Sequence, residues 1–186
     1  MTLVQTSRGI FDIRLSSPGD IPAIAALMKR SIAELQVDVL TPEEIEASHF
    51  GMGLDTQLIE DGTYFSVWDK ATLVGCGGWS FRATLYGGNH SAGRNAERLN
   101  PKKHRARIRA MYTHPDYVRR GIGKMILEAS EAAACAAGFS ALEMAATLAG
   151  EPFYLQCGYT IESRWQDENG PVPVPLLTMV KSLSPK

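Results

Sequence analysis

Cysteine is scarce: the 186 residues contain three, Cys76, Cys135 and Cys157, far apart and without a CxxC pair. An odd, scattered set builds neither a disulfide framework nor a structural zinc site, so buried free thiols are expected. Long apolar runs are also lacking. The longest, Ile21 to Met28, contains a proline and falls well short of the roughly 20 residues of a membrane helix. The opening MTLVQTSRG has no apolar secretory core, and a cytoplasmic location is expected, with no membrane partner. Excess charge of one sign is absent as well. Nineteen basic side chains face 20 acidic ones, net -1, which disfavours a nucleic-acid partner. With 45% hydrophobic residues, the composition is that of one globular domain, residues 1–186, large enough for a real core. No internal repeat is apparent.

Charge is unevenly spread along the chain. Ser31 to Asp69 contains no Lys or Arg but nine acids, whereas Arg94 to Lys124 holds ten of the nineteen basic residues against only Glu97 and Asp116. This pattern fits either two surfaces for two kinds of partner or two solvated faces.

Phe11 to Leu15 alternates like a half-buried strand, and SSPGD then offers Asp20 as an N-cap. Ile21, Ile24, Ala25, Met28, Ile32 and Leu35 recur at helical spacing. Thr41-Pro-Glu-Glu44 reads as a capping box opening a second helix that ends near Gly51. Thr63–Trp68 and Leu73–Phe81 predict a hairpin around Asp69–Ala71, in which Gly75, Gly77 and Gly78 mark a bulge or a close approach. Tyr86 to Lys103 is polar and glycine-rich, hence a loop. Arg105–Thr113 predicts a strand, Ile122–Ala137 a helix closed by Gly138, and Ala141–Ala145 a buried strand. Glu151–Gln156 reads as a helical turn or two, before strands at Tyr159–Ser163 and Val174–Lys181. The order indicates a mixed α/β sheet, with the strands on either side of the long helix parallel neighbours.

The most informative segment is His114-Pro-Asp-Tyr-Val-Arg-Arg-Gly-Ile-Gly-Lys124, between a strand and that helix. Helix N-termini present free N–H groups, glycines admit a phosphate to the backbone, and Arg119, Arg120 and Lys124 add charge. A pyrophosphate fits such a turn. A Walker A loop fails at Val118 and Met125, and a dinucleotide fingerprint fails at Ile126.

MYTHPDYVRRGIGKMILEASEAAACAAGF resembles the acyl-CoA-binding motif Q/R-x-x-G-x-G/A of the GCN5-related N-acetyltransferases. FDIRLSSPGDIPAIAAL, LVGCGGWSF and EPFYLQCGYT resemble the family's opening strand and helix, its central hairpin strand and its closing segment. The resemblance implies the family's α/β (α+β) fold, a mixed central sheet of about six to seven strands flanked by about four helices. It further implies acetyl-CoA as co-substrate without a metal and an amine as acceptor; the acidic segment Ser31 to Asp69 adds the expectation that this is a primary amine of a small molecule. The pyrophosphate would lie on Arg119, Arg120, Gly121, Ile122, Gly123 and Lys124, and the pantetheine arm along Met111, Tyr112 and Thr113. Tyr154, in the FYxxxGY pattern, would protonate the departing thiolate. Val118 replaces the usual Gln or Arg, and Thr147 stands near a position where many members carry Asn. Glu143, Glu60, Asp61 and His114 are the candidates for general base, and Glu143 interrupts an apolar strand. The acidic segment would draw a cationic amine, with Trp79, Phe81 and Tyr86 as walls. The family habit extends to homodimers. A catalytically silent acyl-CoA sensor would need Gly121 and Gly123 but not Tyr154.

Overall fold

The computed structural model describes residues 2–6, 9–91 and 94–183. Its first strand, β1 (Thr2–Thr6), precedes the expected opening strand, β2 (Gly9–Leu15), and pairs with it antiparallel. Next comes α1 (Ile21–Leu35), which buries Ile24, Met28 and Ile32 as the periodicity predicts, with Leu27 in addition and Ala25 exposed instead. Asp20 does not cap α1 through its side chain. It binds the Arg14 guanidinium at 2.7 and 2.8 Å and accepts from Ser17 N at 2.7 Å, and these donors hold its carboxyl far below the ordinary range. The capping box of α2 (Pro42–Gly51) forms as expected: Thr41 N donates to Glu44 Oε2 at 2.8 Å and Glu44 N to Thr41 Oγ1 at 3.3 Å. A further single-turn helix, α3 (Thr56–Glu60), is capped by Asp55, which accepts from Gln57 N.

The hairpin forms from β3 (Tyr64–Asp69) and β4 (Thr72–Ser80), turning at Lys70 with φ 55°. The loop expected over Tyr86–Lys103 is tied back along the end of β4: Ala83 N and Thr84 N donate to Glu97 O and Asn95 O, and Leu99 N to Phe81 O. Ala92 and Gly93 of that loop lie outside the described residues. After β5 (Ala106–Thr113) come α4 (Ile122–Ala136), β6 (Ala141–Thr147), α5 (Glu151–Gln156), β7 (Thr160–Asp167) and β8 (Val174–Ser182). Gly138, with φ 91°, follows the C-cap Ala137, the left-handed position glycine favours.

All eight strands share one sheet, ordered β1-β2-β3-β4-β5-β6-β8-β7. Among the described residues only β5 and β6 pair in parallel, joined by the α4 crossover as expected. One face carries α4, whose Ile122, Met125 and Ile126 pack with Phe11, Ile13, Val67 and Val74. The other carries α1, packed on Tyr64, Leu73, Cys76 and Tyr112. Each fully buried aliphatic here contributes roughly 1.5–3 kcal/mol by leaving water. Three of the acids from the 31–69 segment are consumed by arginines: Glu34 by Arg30, Asp61 by Arg82, and Asp55 by both Arg94 and Arg109. The charge asymmetry is thus partly discharged within the fold.

Candidate active site

The parallel pair β5–β6 is short. Ala106 pairs with Leu142 and Arg107 with Glu143, and beyond these the strands run on without pairing to Thr113 and Thr147. Part of the cause lies on the other side of β5. Its register with β4 shifts between Cys76 and Gly78, so that Ala110 and Met111 together face Gly77, and Ala110 adopts a left-handed φ of 50°. A methyl at Gly77 would overlap Met111 Sδ and stand 3.1 Å from Met111 Cα, so the glycine makes room for the bulge. The buried Tyr64 hydroxyl donates to Ala110 O at 2.7 Å and holds the distortion. Burial drives the Tyr64 pKa well up, so this donor keeps its proton.

Where β5 ends, the chain turns through Val118–Gly121 into α4. Arg119 (φ 62°) and Gly121 (φ 85°) are both left-handed, the alternation that turns successive N–H groups to one side. Left-handed backbone costs an L-residue such as Arg119 roughly 1–2 kcal/mol. Gly121 is the N-cap of α4 and supplies no capping side chain, so the first-turn amides of Ile122, Gly123 and Lys124 have neither an intrahelical partner nor a cap. Arg119 and Lys124 are exposed beside them, and the half-buried Arg120 guanidinium sits 4.5 Å from the Tyr117 ring centre. Anchored from behind by Gly75, over which Ile122 and Ile126 close, these amides make a cradle of the kind that can accept an anion.

Two cavities open along this divide. A groove of about 540 Å³ runs from the cradle past Met111, Tyr112 and Thr113 to α1 and α5. A smaller cavity of about 70 Å³ lies between the diverging strands, under Met52, Leu85, Tyr86 and Gly87, with Arg109 in its wall. Met52, Met111, Tyr112, Thr147 and Tyr154 line both, so the two spaces meet there. Of the residues expected at the phosphate and the arm, Met111, Tyr112, Thr113, Arg119, Gly121, Ile122, Gly123 and Lys124 line this one groove, while Arg120 falls outside it, its guanidinium over the Tyr117 ring.

Tyr154 stands at the junction, packed against Phe153 at 5.0 Å and Tyr159 at 5.9 Å between ring centres. Burial raises its phenol pKa above the ordinary value, leaving a protonated donor at neutral pH. Thr147 Oγ1 accepts from Gly150 N, fixing the turn that leads to Tyr154. Val118 is exposed at the rim of the groove.

Glu143 falls elsewhere. It sits where β5 and β6 are still paired, bound by Arg107 with Arg105 at 3.9 Å, outside both sets of lining residues. Glu60, Asp61 and His114 also lie outside them. Asp61 is held by Arg82 at 2.6 Å, and the His114 ring meets Arg30 at 2.9 Å. Among the described residues no carboxylate lines either cavity. Of the three aromatics expected as walls, only Tyr86 serves, while Trp79 packs against Phe81 and Phe139 in the core.

Sequence reasoning missed Tyr64 and Arg109. Arg109, 4% exposed, donates to Thr84 O, Gly87 O and Asp55 Oδ2 at 2.7, 2.6 and 3.0 Å, and so pins the roof of the small cavity to β5. Its alternation with Arg107 in the sequence gave no sign that one of the two is buried. Among the described residues no group of three or more His, Cys, Asp or Glu is placed to hold a metal, and no helix is long and apolar enough to cross a membrane.

Comparison with known proteins agrees with this geometry. No match was found among curated proteins. Solved structures similar to the chain include a GCN5-related N-acetyltransferase from Rhodopseudomonas palustris (22% identity, TM-score 0.70, covering 98% of this chain and 99% of that one). Another is the PaiA N-acetyltransferase from Thermoplasma acidophilum in complex with coenzyme A (15% identity, TM-score 0.63, 92% and 98%). A third is the ribosomal-protein-S18-alanine N-acetyltransferase from Escherichia coli (13% identity, TM-score 0.57, 95% and 96%). At these identities the likeness is one of fold. The acetyltransferase (GNAT) family model, however, matches residues 29–159, a span that runs from α1 through the splayed strands and the amide cradle to Tyr159. The chain belongs to the acetyltransferase (GNAT) family.

Proposed function

We propose that the chain transfers an acetyl group from acetyl-CoA to the primary amine of a small molecule, by direct attack in a ternary complex. One observation carries this reading: β5 and β6 part next to the uncapped amides of α4, so an anion cradle, a long groove and a small cavity meet at Tyr154. The coenzyme A complex of the Thermoplasma relative supports the co-substrate.

In this reading the amides of Arg119 to Lys124 take the pyrophosphate, with the arginine and lysine side chains adding charge. The arm lies along Met111, Tyr112 and Thr113, and the Met111 N–H beside the bulge polarises the thioester carbonyl. The amine nitrogen bonds to the acetyl carbon, the carbon–sulfur bond breaks, and the sulfur takes the Tyr154 proton. Tyr154 is a weak acid when buried, so its proton passes as charge builds on sulfur and is replaced from the proton the amine gives up. With no carboxylate among the described residues lining either cavity, that proton travels from the amine nitrogen to the Tyr154 oxygen through water. The rate gain rests on holding both reactants together.

The small cavity suits a compact amine and supports a small-molecule acceptor. A thiol-release assay with acetyl-CoA against amino acids, polyamines, aminoglycosides and lysine peptides tests this, and turnover is expected with a small amine. Turnover confined to peptides overturns the acceptor class, and coenzyme A binding without any turnover points to a silent acyl-CoA module.

A further inference from the structure

Among the described residues five buried side-chain polar atoms have no hydrogen-bond partner: Asp12 Oδ1, Ser16 Oγ, Gln36 Oε1, Tyr86 Oη and Arg107 Nε. Two belong to residues lining a cavity, Gln36 in the groove and Tyr86 in the small cavity. Tyr86 lies beside the Asp167 carboxylate, which gives its hydroxyl a polar neighbour. Gln36 Oε1 has none.

Gln36 closes the C-terminal end of α1 and is only 3% exposed. Its backbone carbonyl accepts from Val39 N and Leu40 N, each at 3.0 Å, which fixes the residue in the turn toward α2. Its Nε2 donates to Ile32 O at 3.4 Å. That bond sets the amide's orientation, because the reverse would press Oε1 against a carbonyl oxygen. The oxygen is left as a buried acceptor on a residue of the groove wall, a destabilising state unless something donates to it.

We propose that Gln36 is a binding residue for the co-substrate arm, its Oε1 accepting from a secondary-amide N–H of pantetheine. The inference rests on the acetyl-CoA reading above. The arm is favoured over the acceptor amine because Gln36 lines the groove and not the small cavity. Within the groove, Ser31, Ile32, Leu35 and Gln36 build the α1 wall, opposite the β5 backbone at Met111–Thr113. An arm lying there is read from both sides.

Calorimetric titrations of the full chain with coenzyme A and with 3′-phosphoadenosine diphosphate, which keeps the phosphates but lacks the arm, test the assignment. Gln36→Met, close in volume but without the acceptor, is expected to weaken coenzyme A about tenfold while the armless fragment binds as in the wild type. Gln36→Ala should show the same split, and the fragment doubles as the check that each variant folds. Unchanged coenzyme A affinity in Gln36→Met overturns the inference, as does an equal loss for both ligands. So does a loss of turnover with coenzyme A binding intact, which would move Gln36 to the acceptor. A wild-type chain that fails to bind coenzyme A refutes the acetyltransferase reading, and this one with it.

Discussion

Gly75 couples the fold to the first turn of α4. It lies in β4 directly beneath the first turns of α4, and a methyl built there would overlap Ile122 Cγ2 and stand 3.0 Å from Ile126 Cδ1 and 3.4 Å from Tyr112 O. Unstrained carbon atoms meet at about 3.5–4.0 Å, so Gly75→Ala must push α4 outward by about 0.5–1 Å at its N-terminus. Both isoleucines are buried, at 1% and 0% exposure, and have little room to re-pack. Overpacking of this kind typically costs about 1–3 kcal/mol, offset by the roughly 0.5–1 kcal/mol that alanine regains over glycine in the unfolded chain. A net loss of about 1–2 kcal/mol is expected, read as a lower denaturant midpoint at unchanged m-value. The same displacement moves the amides of Ile122 and Gly123, so coenzyme A affinity should fall by more than the stability change explains at saturating ligand. Equal stability and equal coenzyme A affinity in Gly75→Ala would refute the claim that this glycine seats the cradle.

Three further outcomes follow from the same contacts. Asp55→Ala strands Arg109, 3% exposed at its side chain, and should cost about 3–5 kcal/mol in chemical denaturation, whereas Arg94→Ala, at the more open side of the pair, should cost about 1 kcal/mol or less. Tyr64→Phe removes the donor to Ala110 O and should lower stability by about 1 kcal/mol and reduce kcat while the coenzyme A affinity stays within about twofold. The Asp20 carboxyl, with its pKa depressed chiefly by the Arg14 hydrogen bonds, contributes stability present above its unfolded pKa of about 3.9 and lost as pH falls toward its folded value. Asp20→Asn should therefore lower the melting temperature at pH 7 and flatten its decline below about pH 4; an acid limb as steep as the wild type's would count against the pair.

What could be read from the sequence was what local chemistry encodes. The apolar period of α1, the capping box at Thr41 and the glycines before and after α4 each act within a few residues, and all appear where expected. β1 escaped notice because TLVQT is a short, mostly polar edge strand, and α3 because five residues show no helical period. The parting of β5 from β6 has no local signature. It depends on a hydroxyl 46 positions from the carbonyl it holds and on a glycine in the neighbouring strand. The same holds for charge. The acidic and basic segments read as two separate surfaces, yet the Asp55–Arg94 and Asp55–Arg109 pairs span 39 and 54 positions and join them inside the fold. The residues expected as a phosphate loop, Arg120 apart, and Tyr154 do line one groove, because the turn and the helix carrying them are locally determined. Glu143, chosen for its oddness in an apolar strand, proved to be the partner of Arg107, a contact made only when the sheet assembles.

The central claim is that the space between the parted strands and the α4 amides receives acetyl-CoA. Amide hydrogen exchange on the full chain, with and without saturating coenzyme A, tests it most directly. New protection is predicted at Met111–Thr113 and at Arg119–Lys124, with one ligand bound per chain. Absence of binding, or protection that spares both segments, would contradict it.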